Sequence, residues 1–329
     1  MADLLEVEDV RKDFAPAATL FGRRAGAVLA VDGVTFSIAA GMTFGLVGES
    51  GSGKTTIARM CLGLLPPTSG AIRFMGQDLF GTAHQASRMA GGQIGAIFQD
   101  PAAALNPRQR VRDIVALPLR LHDRTDRART TERVVRLLEA VSLTPGARYL
   151  DRYPHELSGG QRQRVVIARA IALRPRLVVA DEPVSSLDMS IRAQILDTLA
   201  ELKKTHQLTY LYITHDLGVV RSICDRIGVM YLGKLVEVTG VEELYTRPLH
   251  PYTKALLAAN PIPRPTQARA RQRGVIRGEI PSPSNPPSGC RFHPRCPVAE
   301  PRCALEEPKP VNVGGTLVAC HLYRGGRDA

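Results

Sequence analysis

Gly48-Glu49-Ser50-Gly51-Ser52-Gly53-Lys54-Thr55 sets a glycine, four residues and then Gly-Lys-Thr between an apolar run and a helical one. Glycines let the backbone wrap a polyphosphate with its N–H groups, and the helix that follows presents its positive N-terminus to the same anion. Lys54 then reaches the β- and γ-phosphates, Thr55 offers its hydroxyl to Mg²⁺, and Thr56 adjoins in the same cradle. A magnesium–triphosphate site also needs a carboxylate. Leu177-Val178-Val179-Ala180-Asp181-Glu182 supplies it as an apolar strand ending in two acids. Asp181 at the strand tip is placed to hold Mg²⁺ through water, and Glu182 to polarise an attacking water as general base. An isolated Asp-Glu pair is usually a solvated turn; following an apolar strand, in a chain with a phosphate loop, it points to hydrolysis.

A second anion cradle lies at Leu157-Ser158-Gly159-Gly160-Gln161, before the helical run Arg162–Leu173. A serine at the N-cap followed by two glycines leaves backbone N–H groups free to face an anion. Two γ-phosphate cradles exceed what one site needs. The surplus is accounted for if Ser158, Gly159, Gly160 and Gln161 serve a partner's nucleotide across a dimer interface.

These residues need a scaffold. The first ~255 residues alternate β-type and helical runs, the pattern of an α/β layered fold with a largely parallel sheet. Met42–Val47 reads as the strand entering the phosphate loop, and Thr55–Leu65 as the helix leaving it. Thr130–Leu143 places Val134, Leu137, Leu138 and Val141 on one helical stripe. Leu177–Ala180 and Thr209–Ile213 are short apolar runs expected to be buried strands. Ala15–Val28 reads as a loop. From Pro261 to Pro287 seven prolines occur, with five arginines between Arg264 and Arg277, the composition of a linker or wrapping arm.

At 329 residues the chain is long enough for about two domains. Its 44% hydrophobic and 22% charged content excludes wholesale disorder. No run approaches the ~18 consecutive apolar residues of a membrane span, and the first residues lack the order of a signal peptide; a cytosolic chain is expected. The +12 net charge favours anionic partners. The basic residues are spread along the chain, however, and Trp is absent with aromatics at 5%, which argues against a base-stacking platform for nucleic acid.

Taken in order, the motifs resemble those of the nucleotide-binding subunit of an ATP-binding cassette (ABC) transporter, over essentially residues 4–258. The phosphate loop, the acidic pair and the Leu157–Gln161 signature match, together with Gln99 in Phe98-Gln99-Asp100-Pro101, Asp188 in Ser186-Leu187-Asp188 and His215 in Thr214-His215-Asp216. The resemblance implies an α/β P-loop ATPase core with a helical signature subdomain over residues 100–160. It implies that Gln99 senses Mg²⁺ and the attacking water, that His215 contacts the γ-phosphate, and that Asp188 links two sites across a dimer. Phe14 is the best match for the aromatic residue on which the adenine of ATP stacks. Chromosome-structure members of the family carry a very long coiled coil between phosphate loop and signature, and translation and repair members usually carry two cassettes; this chain has one, without sustained heptads.

Six cysteines are present, and the last four, Cys290, Cys296, Cys303 and Cys320, are spaced C-x5-C-x6-C-x16-C. Four thiolates in an irregular, Cys-rich segment suit a metal or an iron–sulfur cluster. The short C-x2-C pairs typical of structural zinc are missing, which makes Zn²⁺ the alternative. Disulfides are disfavoured by a cytosolic compartment. Cys61 and Cys224, beside apolar residues, read as packed core thiols. The tail also resembles the C-terminal extension of oligopeptide/dipeptide transporter ATPases, through Leu249-His250-Pro251-Tyr252-Thr253-Lys254-Ala255-Leu256-Leu257, Gly278-Glu279-Ile280-Pro281-Ser282-Pro283 and Gly289-Cys290 onward, with Leu105-Asn106-Pro107-Arg108 fitting the same branch. Within that branch the chain looks more like the dipeptide "F"-type subunit. The resemblance implies a cassette over residues 1–258, an extension over 259–329 and a [4Fe–4S] cluster on the four cysteines. It further implies a second, non-identical ATPase subunit, two membrane permease subunits, a substrate-binding protein reached through them, and a place on the cytoplasmic face of the membrane. Import of di- or oligopeptides, or of a related small solute, is the expected work.

Overall fold

A computed structural model describes residues 3–14, 28–81, 92–122, 126–259, 279 and 281–323. Of the loop expected at Ala15–Val28, residues 15–27 lie outside the described residues, as does most of the proline- and arginine-rich arm, while Val28 opens a strand.

The five-residue apolar runs become strands with both faces covered, because nothing polar in them has to reach water. β3 (Thr43–Val47) and β7 (Leu177–Asp181) are buried at every position, as is the six-residue β8 (Thr209–Thr214). With β6 (Ile94–Ile97) and β9 (Arg226–Tyr231) they form a parallel core in the order β9-β3-β8-β7-β6. β10 (Lys234–Gly240) pairs antiparallel with β9 and continues the sheet. The expectation of a parallel sheet thus holds for these five strands.

The N-terminal stretch departs from it. β1 (Asp3–Phe14), β2 (Val28–Ala39), β4 (Ser69–Phe74) and β5 (Gln77–Asp78) make a separate antiparallel sheet in the order β2-β1-β4-β5. β2 buries alternate residues Val34, Phe36 and Ile38, the period-2 pattern of a one-sided sheet. Phe36 stacks on Phe44 of β3 with ring centroids 4.7 Å apart, locking the two sheets together.

The helix after the phosphate loop, α1 (Lys54–Cys61), starts one residue earlier and ends sooner than the pattern suggests. α2 (Pro101–Ala104), α3 (Val111–His122), α4 (Arg127–Ala140) and α5 (Gly159–Ala170) pack together beside the parallel core. Of the stripe expected on α4, Val134 and Leu138 are fully buried and Leu137 half-buried, while Val141 caps the helix end. Cys61 and Cys224 are buried, and burial pushes both thiols well above their ordinary pKa, as expected of inert core groups.

One expectation needs correcting. The cysteine-rich tail is not wholly irregular: β11 (Val311–Val313) and β12 (Thr316–Val318) form a hairpin, and β12 pairs with β10, extending the main sheet to eight strands among the described residues. Three-residue strands give too short a pattern to read, and this one is held by long-range contacts such as Thr239 Oγ1 to Thr316 Oγ1 at 2.7 Å. No helix among the described residues is long and apolar enough to cross a membrane.

Candidate functional site

In a parallel sheet the carboxyl ends of neighbouring strands lie side by side, and ligands bind there. The register makes this concrete: Val47 faces Thr214, Ile213 faces Asp181, and Ala180 faces Ile97. The loops leaving β3, β6, β7 and β8 therefore bring the phosphate loop, Gln99, the acidic pair and His215 to one edge.

The phosphate loop has a backbone that side chains would spoil. Gly48 (φ 155°) has no room for a Cβ, which would stand 2.0 Å from the Met230 carbonyl oxygen. At Gly53 (φ 102°) it would meet the Ala30 oxygen at 2.2 Å. Lys54 curls into the loop and donates from Nζ to the Gly48 and Glu49 carbonyls, both at 2.8 Å, and to Ser52 Oγ at 3.2 Å. Burial lowers its ammonium pKa, and the nearby Glu182, Asp181 and Glu49 carboxylates oppose that shift.

Asp181 is buried, and its Oδ1 has no hydrogen-bond partner. Burial raises its pKa, against a hydrogen bond from Thr55 that lowers it. A buried acceptor left open beside a threonine hydroxyl is the environment a hard cation completes; the residues present fit Mg²⁺. Glu182, one residue on, adopts a left-handed backbone (φ 48°) and donates from its N–H to the Ile213 carbonyl at 2.9 Å. Such a conformation costs of order 1–3 kcal/mol in a non-glycine residue and clusters at functional sites. It turns the carboxylate between two partners: Gln99 Nε2 donates to Oε2 at 2.9 Å, and His215 Nδ1 lies 2.9 Å from Oε1. Glu182, Gln99 and His215 thus form one hydrogen-bonded group at the rim of the phosphate loop.

The other expected residues stand further out. Phe14 ends β1, 42% exposed, with Lys12 Nζ 5.6 Å from its ring centroid. It pairs with Val28, two residues before Ala30, whose carbonyl backs Gly53. Ser158 is the N-cap of α5; its Oγ accepts from Gln161 N–H at 3.3 Å, and Gln161 Oε1 accepts from Ser158 N–H at 3.0 Å, a reciprocal capping box. Gly160 is buried, and a Cβ there would meet Ile191 Cγ2 at 2.6 Å. Among the described residues no hydrogen bond or ion pair joins Ser158–Gln161 to the phosphate loop of the same chain. Asp188 is exposed at the start of α6 (Met189–His206), and Arg192 donates from its N–H to the Asp188 carbonyl.

Cys290, Cys296, Cys303 and Cys320 line one small cavity with His250, His293 and His321. Burial pushes the Cys290 thiol up to about 11, with a contribution from its three neighbouring thiols. Among the described residues no set of three His, Cys, Asp or Glu side chains is gathered as metal ligands.

Nothing in the sequence marks Tyr252 and Arg295 as residues that touch the phosphate loop. Tyr252 accepts from Glu49 N–H at 3.0 Å, and Arg295 pairs with the Glu49 carboxylate at 2.8 Å. Arg291 and Lys234 pair with the buried Asp32.

Comparison with known proteins agrees with this geometry. Residues 31–185 match the ABC transporter family, and residues 236–303 match the C-terminal region of oligopeptide/dipeptide transporters. The oligopeptide transport ATP-binding protein AppF of Bacillus subtilis is 50% identical over 97% of both chains. OppF of Salmonella typhimurium, also an oligopeptide transport ATP-binding protein, is 46% identical over 93% of this chain and 92% of its own. Among solved structures, the dimeric ATP-binding cassette MJ0796 in a post-hydrolysis state bound to ADP and Pi superposes with a TM-score of 0.64 at 27% identity, covering 72% of this chain and 98% of that one. The cbiO1 component of the cbiONQ ABC transporter of Clostridium perfringens gives 0.65 at 25% identity, over 75% and 92% of the two chains.

Proposed function

The chain belongs to the oligopeptide transport ATP-binding proteins of the ABC transporter family, and from that premise we propose how its residues bind and hydrolyse ATP to drive import of di- or oligopeptides. The observation that carries the proposal is the Gln99–Glu182–His215 group beside a phosphate loop whose lysine and glycines are already in place. The loop Gly48–Thr56 wraps the phosphates with its N–H groups, and Lys54 exchanges its carbonyl partners for phosphate oxygens. Phe14 stacks on the adenine. Thr55, Asp181 and Gln99 would hold Mg²⁺, which would supply charge neutralisation on the phosphates. Glu182 takes the proton of the attacking water as general base, Gln99 orients that water, and His215 steadies the γ-phosphate.

The signature Ser158–Gln161 faces outward to a second ATPase subunit, non-identical to this one, and Asp188 lies on the same interface. Membership in the family implies membrane permease partners. Two permease subunits and an extracytoplasmic binding protein complete the assembly in this proposal, with the chain peripheral to the cytoplasmic face. Residues 1–258 form the cassette and 259–329 the extension. The four C-terminal cysteines are the proposed ligands of a [4Fe–4S] cluster, with Zn²⁺ as the alternative, supported by their convergence on one cavity. Such a centre would tie the tail together at four points.

Uptake of a labelled dipeptide by proteoliposomes containing the whole transporter tests the function. Uptake should require internal ATP and disappear with Lys54→Ala in this subunit. Uptake that proceeds unchanged in that variant would refute the role given to this chain.

A further inference from the structure

Glu49 is an anomaly in the phosphate loop, a carboxylate in a loop that must receive a polyanion. The structure pairs it with the tail. Arg295 Nη1 donates to Glu49 Oε2 at 2.8 Å and Nη2 to Oε1 at 3.1 Å, a two-pronged fork, and Nη1 also donates to Tyr231 Oη at 3.2 Å. The Arg295 side chain is 6% exposed, so the pair is largely out of water. Tyr252 accepts the Glu49 N–H from the other side. The Glu49 carbonyl in turn accepts from Lys54 Nζ, so the fork lies one residue's width from the lysine that meets phosphate.

The grip extends along the loop. Arg291 donates to Asp32 and to the Leu232 carbonyl, and the adjoining Gly233 N–H donates to the Ser52 carbonyl at 2.9 Å. Between the two arginines, Phe292 is buried edge-on against Tyr231 at 5.3 Å and tilted against Tyr252 at 5.3 Å. A single tail segment, 291–295, therefore braces the loop at Glu49 directly and at Ser52 through the Leu232-Gly233 turn.

We propose that Arg295 is a positioning residue for nucleotide binding: from the C-terminal tail it neutralises and orients Glu49, and so holds the phosphate loop ready for a triphosphate. The inference rests on the reading of Gly48–Thr56 as the ATP site. Without the guanidinium, an unpaired carboxylate would stand against the incoming phosphates, and the loop would sample other shapes. Apparent affinity falls by the fraction of molecules in the competent shape.

The test measures equilibrium ATP binding to the purified full chain, and KM and kcat in the assembled transporter, for Arg295→Met, Glu49→Gln, the double variant and Lys54→Ala. If one loop in ten remains competent, Arg295→Met weakens ATP binding about tenfold and raises KM similarly, with kcat within about twofold. Adding Glu49→Gln removes the unpaired charge and should bring the loss back to about threefold. A merely structural role would lower Tm and leave the ATP affinity of the folded protein unchanged. Wild-type affinity in folded Arg295→Met, or a double variant no better than the single, would overturn the proposal. Should Arg295→Met not fold, Arg295→Lys keeps the charge and loses the fork; wild-type affinity there would overturn it equally. If Lys54→Ala also binds ATP normally, the ATP site itself is misplaced, which is a separate failure.

Discussion

Asp181 shows how far single residues were readable. Its position, at the end of an apolar strand in a chain that carries a phosphate loop, makes it the expected metal ligand; its unpartnered Oδ1 and its burial fit the role proposed for it. A buried carboxylate with an open oxygen is costly until a cation arrives. Asp181→Asn keeps the shape and removes the charge. The Mg²⁺ concentration needed for half-maximal hydrolysis should rise roughly tenfold or more, while ATP binding measured in EDTA stays as in the wild type. A magnesium titration of the ATPase reads both, and an unchanged Mg²⁺ requirement would contradict the assignment. What the sequence could not show was the left-handed turn at Glu182, since any residue type can be forced there by its surroundings. Nor could it show the pairing of Glu49 with Arg295, two residues 246 positions apart.

Elements were legible where they are local. Strand, phosphate loop and helix follow one another within Thr43–Cys61, and the capping box on α5 spans four residues, so both leave their mark in consecutive types. The antiparallel sheet was missed because β1 pairs with β4 across more than sixty residues, as Leu5 with Phe74. The tail hairpin was missed because β12 finds its partner in β10, Val318 with Glu237. The N-terminus of α5 carries a prediction of its own. The serine cap leaves helix N–H groups facing outward, and Ser158→Arg would lose the cap, at about 1 kcal/mol, and fill the cradle with a bulky cation. We expect hydrolysis to fail at the composite site whose phosphate loop belongs to the partner ATPase, with ATP held at Lys54 as before. Photolabelling each subunit with an ATP analogue distinguishes the two. A lesion confined to this chain's own nucleotide would show that the cradle does not work in trans.

Across the whole molecule, the parallel core gathers four strand ends into one site and the tail returns to brace it. Phe292, Tyr231 and Tyr252 form an aromatic cluster joining tail and core. The thiol cavity and the phosphate loop are served by the same short segment, because Cys290 and Cys296 flank Arg291 and Arg295. In the function proposed above, this assembly hydrolyses the ATP on its own phosphate loop with Glu182 as base. Its most direct measurement is single-turnover hydrolysis of nucleotide bound to this subunit, in the assembled transporter, with Glu182→Gln. The substitution keeps the side chain's size and its neighbours Gln99 and His215, and removes only the base. Hydrolysis should fall ~10²–10⁴-fold with ATP affinity unchanged; turnover within a few-fold of the wild type would contradict Glu182 as the base.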